Sequence, residues 1–348
     1  MTPNMSCRFG GRAVGRPGAR LFITVVAIVL TFGTLFSGAS ASERRDMTIV
    51  RPRSVCDRGC LYGFLDDYLK ALVKKDPSRL PLAEHVRFSE NSVEMEIGDG
   101  LWNTISGIGK YDLRMADTRT GNVGWYGVVY ENGNPAAIAL RIKVQDGLIT
   151  QVESVLARQE GDGPFPNPQP QRLKTVPIMN RIEPADTRRP RARLISLADG
   201  YFDTLQLNDG TIFTQFDKNC NRRENGYQTT NHKDPEVPSA VMALGCEAQF
   251  KTGNFRFDDR LRARRFPLVD EERGLVMAGG FIDHSGKLQK IVLTDGRVVK
   301  TLFKTPDSYV LLETFKIVDG KIRQVEAVFT TVPYNMPSPW VHNRVPHN

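Results

Sequence analysis

Two short stretches of this 348-residue chain place a glutamate and an asparagine in similar company: "RFSENS" (87–92) with Glu90 and Asn91, and "NRRENGYQTTN" (221–231) with Glu224 and Asn225. A carboxylate held in an apolar setting is a candidate general acid or base, because desolvation brings its proton affinity towards neutral pH. On a strand, alternate residues share a face, so Arg222 and Glu224 point together and make Glu224 the candidate base. Arg223 and Tyr201 are candidates for steadying a developing oxyanion. Arg222, Asn225, Thr229 and Asn231 offer further ligand contacts, and Glu90, Asn91, Tyr68 and Trp102 are their counterparts in the first stretch. A structural reading stands beside each role. Arg222 and Glu224 also fit an ion pair at a strand edge, Asn225-Gly226 also fits a turn, and large aromatics pack in cores by default. Asp283-His284 closes an apolar run before Ser-Gly; its histidine has proton-shuttle chemistry, but the context predicts an exposed turn.

The elements that position these residues occur twice. "LRIKVQDGLITQVESV" (140–155) and "ETFKIVDGKIRQVEAV" (313–328) align at an offset of 173. Each reads as a strand, an Asp-Gly turn and a strand. Upstream, "LYGFLDDYLKAL" (61–72) and "LISLADGYFDTL" (194–205) align at an offset of 133 and share one apolar helix face. The Glu-Asn pairs differ by 134, so they fall at the start of the first strand in both copies. The second copy is about 40 residues longer, with 232–245 and the region near 285–307 as candidate insertions. Strands are expected near 86–97, 124–131, 137–145 and 148–157, and near 221–229, 264–270, 274–283, 309–318 and 321–331. Helices followed by an antiparallel meander predict an α+β fold of two tandem domains, 54–158 and 191–333. A proline-rich linker (159–190) joins them and a tail (334–348) follows.

Residues 1–41 read as a signal peptide: Arg8, Arg12, Arg16 and Arg20, an apolar run over 21–36, then Ala39-Ser40-Ala41. The run is shorter than a bilayer span requires, so the mature chain is expected to be secreted or periplasmic, without stable membrane insertion. The net charge of +8 falls to +4 without that segment. Nucleic-acid binding is not expected from so modest a surplus; Arg262, Arg264 and Arg265 are expected to pair with "DEER" (270–273). Cys56, Cys60, Cys220 and Cys246 remain, an even number that favours disulfides in an oxidising compartment. Cys56–Cys60 and Cys220–Cys246 are the expected pairs. No metal is expected, since no histidine pair has ligand spacing. No nucleotide loop or HExxH motif is present, so no cofactor is expected.

"VRFSEN", "GDGLW" and a meander ending in "DGxIxxVE" resemble the NTF2-like (SnoaL-like) superfamily. "CxRxENGxxTTN" and "RRFPLVDEERG" resemble a tandem-repeat group within it that carries the DUF8021-type domain. The resemblance spans roughly 54–335. It implies cone-shaped domains, each a curved antiparallel sheet around helices with a pocket in the concavity. It aligns Glu90 and Glu224 with a catalytic carboxylate of ketosteroid-isomerase-like members, whose tyrosine and acid oxyanion donors have no clear counterpart in this sequence. The expected function is an exported, cofactor-free enzyme doing proton-transfer chemistry of the isomerase, dehydratase, cyclase or retro-aldol lyase type. Its ligand would be a small polar or aromatic metabolite. The alternative is a non-catalytic small-molecule-binding or structural protein. A homodimer, or pairing of the two domains within one chain, is the expected assembly.

Overall fold

Leu61, Leu65, Tyr68 and Leu72 recur every three or four residues, and all four are buried along one side of helix α1 (Arg58–Val73). Asp57 starts that helix by accepting from the Cys60 N–H. The structure is a computed structural model that describes residues 56–158, 169–233, 240–301 and 303–341. The expected signal at 1–41 lies outside the described residues, as do part of the linker (159–168) and the end of the tail (342–348).

After α1 come β1 (Leu82–Glu90), β2 (Val93–Met95), the short helix α2 (Leu101–Thr104), β3 (Ile105–Asp117), β4 (Asn122–Glu131), β5 (Asn134–Gln145) and β6 (Leu148–Arg158). The connection carries a one-turn helix, α3 (Pro177–Asn180). The second half repeats the plan: α4 (Arg191–Leu207), β7 (Phe216–Glu224), β8 (Tyr227–Gln228), α5 (Cys246–Lys251), β9 (Arg260–Asp270), β10 (Leu275–His284), the small pair β11 (Lys290–Val292) and β12 (Val298–Lys300), then β13 (Asp307–Val318) and β14 (Lys321–Val332). Both halves form a six-stranded sheet of the same order, β2-β1-β6-β5-β4-β3 and β8-β7-β14-β13-β10-β9. The fold is α+β, with two tandem curved sheets and a helix packed against each.

The sheets are not wholly antiparallel, as the meander reading predicts. β1 runs parallel to β6, and β7 parallel to β14. The sequence reading also passes over β3. Its faces do not alternate cleanly, because the register with β4 shifts twice, beside Gly107 and Gly109, and a bulge erases the two-residue period.

The repeated asparagines have a structural cause. Asn91 and Asn225 both take left-handed backbone conformations, with φ of 49° and 50°. Each ends its strand by donating its N–H to the parallel neighbour, at Ser154 and Ala327 respectively. Each side-chain Oδ1 then accepts from the backbone two residues further along, at Leu156 and Phe329, both at 2.8 Å. Asparagine tolerates that φ and supplies the acceptor.

One face of each sheet holds its own helix core. The opposite faces pack on each other through Tyr111, Leu113, Met115, Tyr126 and Val128 of the first half against Leu268, Met277, Phe281, Val310 and Leu312 of the second. Ion pairs cross this junction: Arg58 with Asp270 and Arg265 with Glu153. The arginine cluster therefore does not pair with residues 270–273. Arg262 binds Asp283, Arg264 binds Asp199 and Asp203, and Arg265 binds Glu153, because a bulge at Ala263 (φ 52°) breaks the alternation and turns Arg264 to the helix face while Arg262 and Arg265 keep the other. The tail returns to the first half, where the Trp340 indole donates to Ser89 Oγ at 3.0 Å and lies 4.8 Å from both Arg87 and Arg141.

Both disulfides are formed, Cys56–Cys60 and Cys220–Cys246. The second ties α5 to β7 across 26 residues. Chain-entropy arguments value a loop of that size at about 3 kcal/mol. Replacing both Cys220 and Cys246 by serine should lower the urea midpoint accordingly. An unchanged midpoint would show that the buried α5 contacts alone hold this segment.

Candidate active site

The two sheets use the same row of positions differently. In the first half, Glu90 pairs with Ser154, Ser154 with Leu140, and Leu140 with Trp125. The corresponding row in the second half is Glu224, Ala327, Glu313 and Ala278. Residues in one row share a face of the sheet. Trp125 and Leu140 thus fill the first concavity together with Trp102, which meets Tyr68 edge-on at 5.3 Å. Gly127 is required beside them, since a Cβ there would overlap the Trp125 ring. Alanine and glutamate at the matching positions of the second half leave space.

That space is a cavity of about 180 Å³, on the scale of one known to accept benzene. Leu205, Ile282, Leu311 and Ala327 supply an apolar floor, and Phe255, Phe257, Phe303, Tyr309 and Phe329 the aromatic walls. The roof comes from the extra length of the second half. Residues 229–259 stand where the first half has 96–104, and 285–306 where it has 132–133. Their described residues contribute Val241, Met242, Gln249, Ile291, Val299 and Lys300 to the lining.

Polar groups enter this enclosure at a few points. Arg222 is buried, its Nε 3.1 Å from Glu224 Oε1 and its Nη1 3.1 Å from Gln249 Oε1. Its guanidinium lies 5.2 Å from the Phe250 ring and 5.3 Å from Phe255. Burial opposes its charge, but the Glu224 carboxylate more than offsets that. Gln249 is fixed in turn, because its amide donates to the carbonyls of Thr229 and Val241. Glu313 is 4% exposed. Burial, with the Glu224 charge adding to it, pushes its carboxyl up to about 8, against the opposing pull of Arg222 and Tyr201. At neutral pH Glu313 is therefore a hydrogen-bond donor. Burial also raises the Tyr201 hydroxyl well above its ordinary range, so it too keeps its proton. The Thr229 hydroxyl is buried on the cavity wall without a hydrogen-bond partner among the described residues.

The residues singled out from the sequence thus separate. Glu224, Arg222, Tyr201 and Thr229 line the cavity. Arg223 does not reach it. As the next residue along the strand it points to the other face, donating to the Lys174 carbonyl at 2.8 Å and lying 3.8 Å from Glu326. Asn225 is consumed by its two bonds to the Phe329 backbone. Asn231 donates to the Cys220 carbonyl and to Asn221, outside the lining. In the first half, Glu90 accepts from the Leu101 N–H at 2.8 Å, Asn91 is the strand-end cap, and Tyr68 and Trp102 pack on each other. In each case these contacts are with neighbouring protein groups of the first half.

Glu313 and His284 complete the cavity, and neither is on the candidate list drawn from sequence. His284 is 1% exposed rather than an exposed turn residue, because the 285–306 insertion folds Phe303 over it, with the rings 3.9 Å apart. Glu313 did carry a signal. It aligns with Leu140 at the repeat offset, and a carboxylate where the sister strand has leucine marks a departure from core packing.

Residues 187–329 match the family described as "Domain of unknown function (DUF8021)". No curated protein matches the chain. Among solved structures, a de novo designed protein with a curved β-sheet is similar at 15% identity, over 29% of this chain and 87% of the design, with a TM-score of 0.24. A protein from Kribbella flavida described as a ketosteroid isomerase is similar at 16% identity, over 34% of this chain and 90% of its own, also with a TM-score of 0.24. Among the described residues no helix is long and apolar enough to cross a membrane.

Proposed function

We propose that the second half is a cofactor-free acid/base catalyst that moves a proton on a small, largely apolar carbonyl compound, in an exported protein whose first half is a scaffold. One observation carries this reading. An ion-paired carboxylate, Glu224, shares a largely apolar cavity with two groups that stay protonated at neutral pH, Glu313 and Tyr201. Glu224 and Glu313 are two strands apart, about 10 Å between backbones, with only the small Ala327 side chain in the row between them. Glu224 takes a proton from the carbon next to the carbonyl. The carbonyl oxygen gains the charge and accepts hydrogen bonds from Tyr201 and Glu313. Return of the proton to another carbon completes an isomerisation, and loss of a neighbouring leaving group completes an elimination. The two disulfides support an oxidising compartment.

The test is deuterium uptake from heavy water by a panel of flat ring ketones led by 2-tetralone, followed by mass spectrometry. Uptake above background that disappears in Glu224→Gln supports the reading. Ligand-induced thermal stabilisation without any uptake would replace it with a binding protein.

A further inference from the structure

Beyond the base and donors, the cavity wall carries a second constellation. Asp258, in the loop after α5, lines the cavity and is 6% exposed at its side chain. His284, at the end of β10, places Nε2 3.0 Å from Asp258 Oδ1. Its other nitrogen, Nδ1, lies 2.8 Å from Oδ1 of Asp307, at the start of β13. The Asp307 side chain is 25% exposed. The three groups thus lead without a break from the cavity wall to the surface. The ring packs against Phe303, stacked at 3.9 Å, and Tyr309, edge-on at 4.7 Å. Phe257 closes a further side, at 6.2 Å.

We infer that Asp258, His284 and Asp307 form a proton path joining the cavity wall to solvent. In the outward direction, Asp258 passes a proton to His284 Nε2, His284 releases its Nδ1 proton to Asp307, and Asp307 gives it to water. One proton leaves the cavity; Asp258 takes the next proton from the cavity side, and a half-turn of the imidazole about its Cβ–Cγ bond restores the Nδ1–H form between transfers. The geometry favours this over an isolated ion pair, since each ring nitrogen holds its own carboxylate and the outer one reaches solvent. Burial raises the Asp258 carboxyl, with His284 opposing it. His284 is also raised, because its two carboxylate partners outweigh its burial. Arg222 lowers and Glu224 raises the Asp258 carboxyl, so the two members of that ion pair act on it in opposition. Among the described residues no three such side chains converge on a point a metal ion could fill. The path rests on the acid/base reading only for its purpose. Its existence is a property of the protein alone.

The test uses the full exported chain labelled with ¹⁵N-histidine, with no substrate. Exchange of the His284 ring N–H protons with water is measured by saturation transfer at neutral pH. Asp307→Asn keeps a hydrogen-bonding group of the same shape but cannot relay the proton, and should slow exchange at least tenfold. Asp307→Ser removes the carboxylate with little demand on space and should slow it similarly. Equal exchange in wild type and both variants, whether fast or slow, would overturn the path and leave the cluster a structural clamp. A silent deuterium-uptake screen together with slowed exchange in the variants would remove the proposed reaction and keep the path.

Discussion

Glu224→Gln is expected to keep the fold and to lower deuterium uptake by about 10²–10⁴-fold, the usual scale for losing a general base. The substitution preserves shape and one acceptor oxygen, so Arg222 keeps a hydrogen bond through Nε, which lies 3.1 Å from Oε1 in the wild type. What it removes is the ability to accept a proton. It also leaves a buried guanidinium without its counter-charge, a change that costs about 3–5 kcal/mol when such a pair is broken. Loss of stability is therefore expected on either reading and decides nothing. The deciding measurement is the rate per folded molecule, with the folded fraction taken from near-ultraviolet circular dichroism. If Glu224 serves only as the counter-ion of Arg222, the folded fraction falls while uptake per folded molecule stays at the wild-type level. That outcome would end the assignment of the base.

How much of this was legible beforehand depends on how local each relation is. The pairing of Arg222 with Glu224 needs only the two-residue period of a strand, so it could be read directly. The polarity of "NRRENGYQTTN" was legible as unusual, but its cause was not. Asn225 owes its place to a left-handed turn against Phe329, 104 residues away, and Arg223 to the reverse face of the same strand. Both relations depend on the register with β14. His284 is legible as a histidine with shuttle chemistry but not as a buried one, since its partners lie 26 and 23 residues away and the insertion over it could not be folded from its own residues. The two cones could be matched through helices and final hairpins, whose apolar periods survive. Which cone is empty turned on Trp125 against Ala278 and Leu140 against Glu313. Those differences were present in the sequence but acquire meaning only once the row across the sheet is known.

The contrast between the rows sets the second large effect. Glu313→Leu, which installs the residue of the first half, is expected to abolish uptake and to stabilise the protein at alkaline pH. The catalytic half follows from losing the donor nearest the proposed oxyanion. The stability half follows from linkage. The Glu313 carboxyl titrates at about 8 in the folded chain, against an ordinary 4.5. Between those values the folded state holds a proton that the unfolded state has released, so raising the pH favours unfolding. The penalty is absent below about pH 4.5, grows through neutrality and is complete above about 8. At full extent it is on the order of 4–5 kcal/mol. Glu326, buried between the sheets and pushed up to about 7 by that burial, adds a penalty of the same sign in both proteins, so it cancels in the comparison. The melting temperature of Glu313→Leu minus that of wild type should therefore be small and flat below pH 4.5. It should rise by roughly 2–4 °C for each kcal/mol of penalty removed and level off above pH 8. A difference that does not vary with pH would mean that Glu313 is already ionised and solvated in the folded protein. The cavity would then lack the protonated donor on which the proposed chemistry depends. A rising difference with undiminished uptake would keep the buried acid but shift the oxyanion contact to Tyr201 alone.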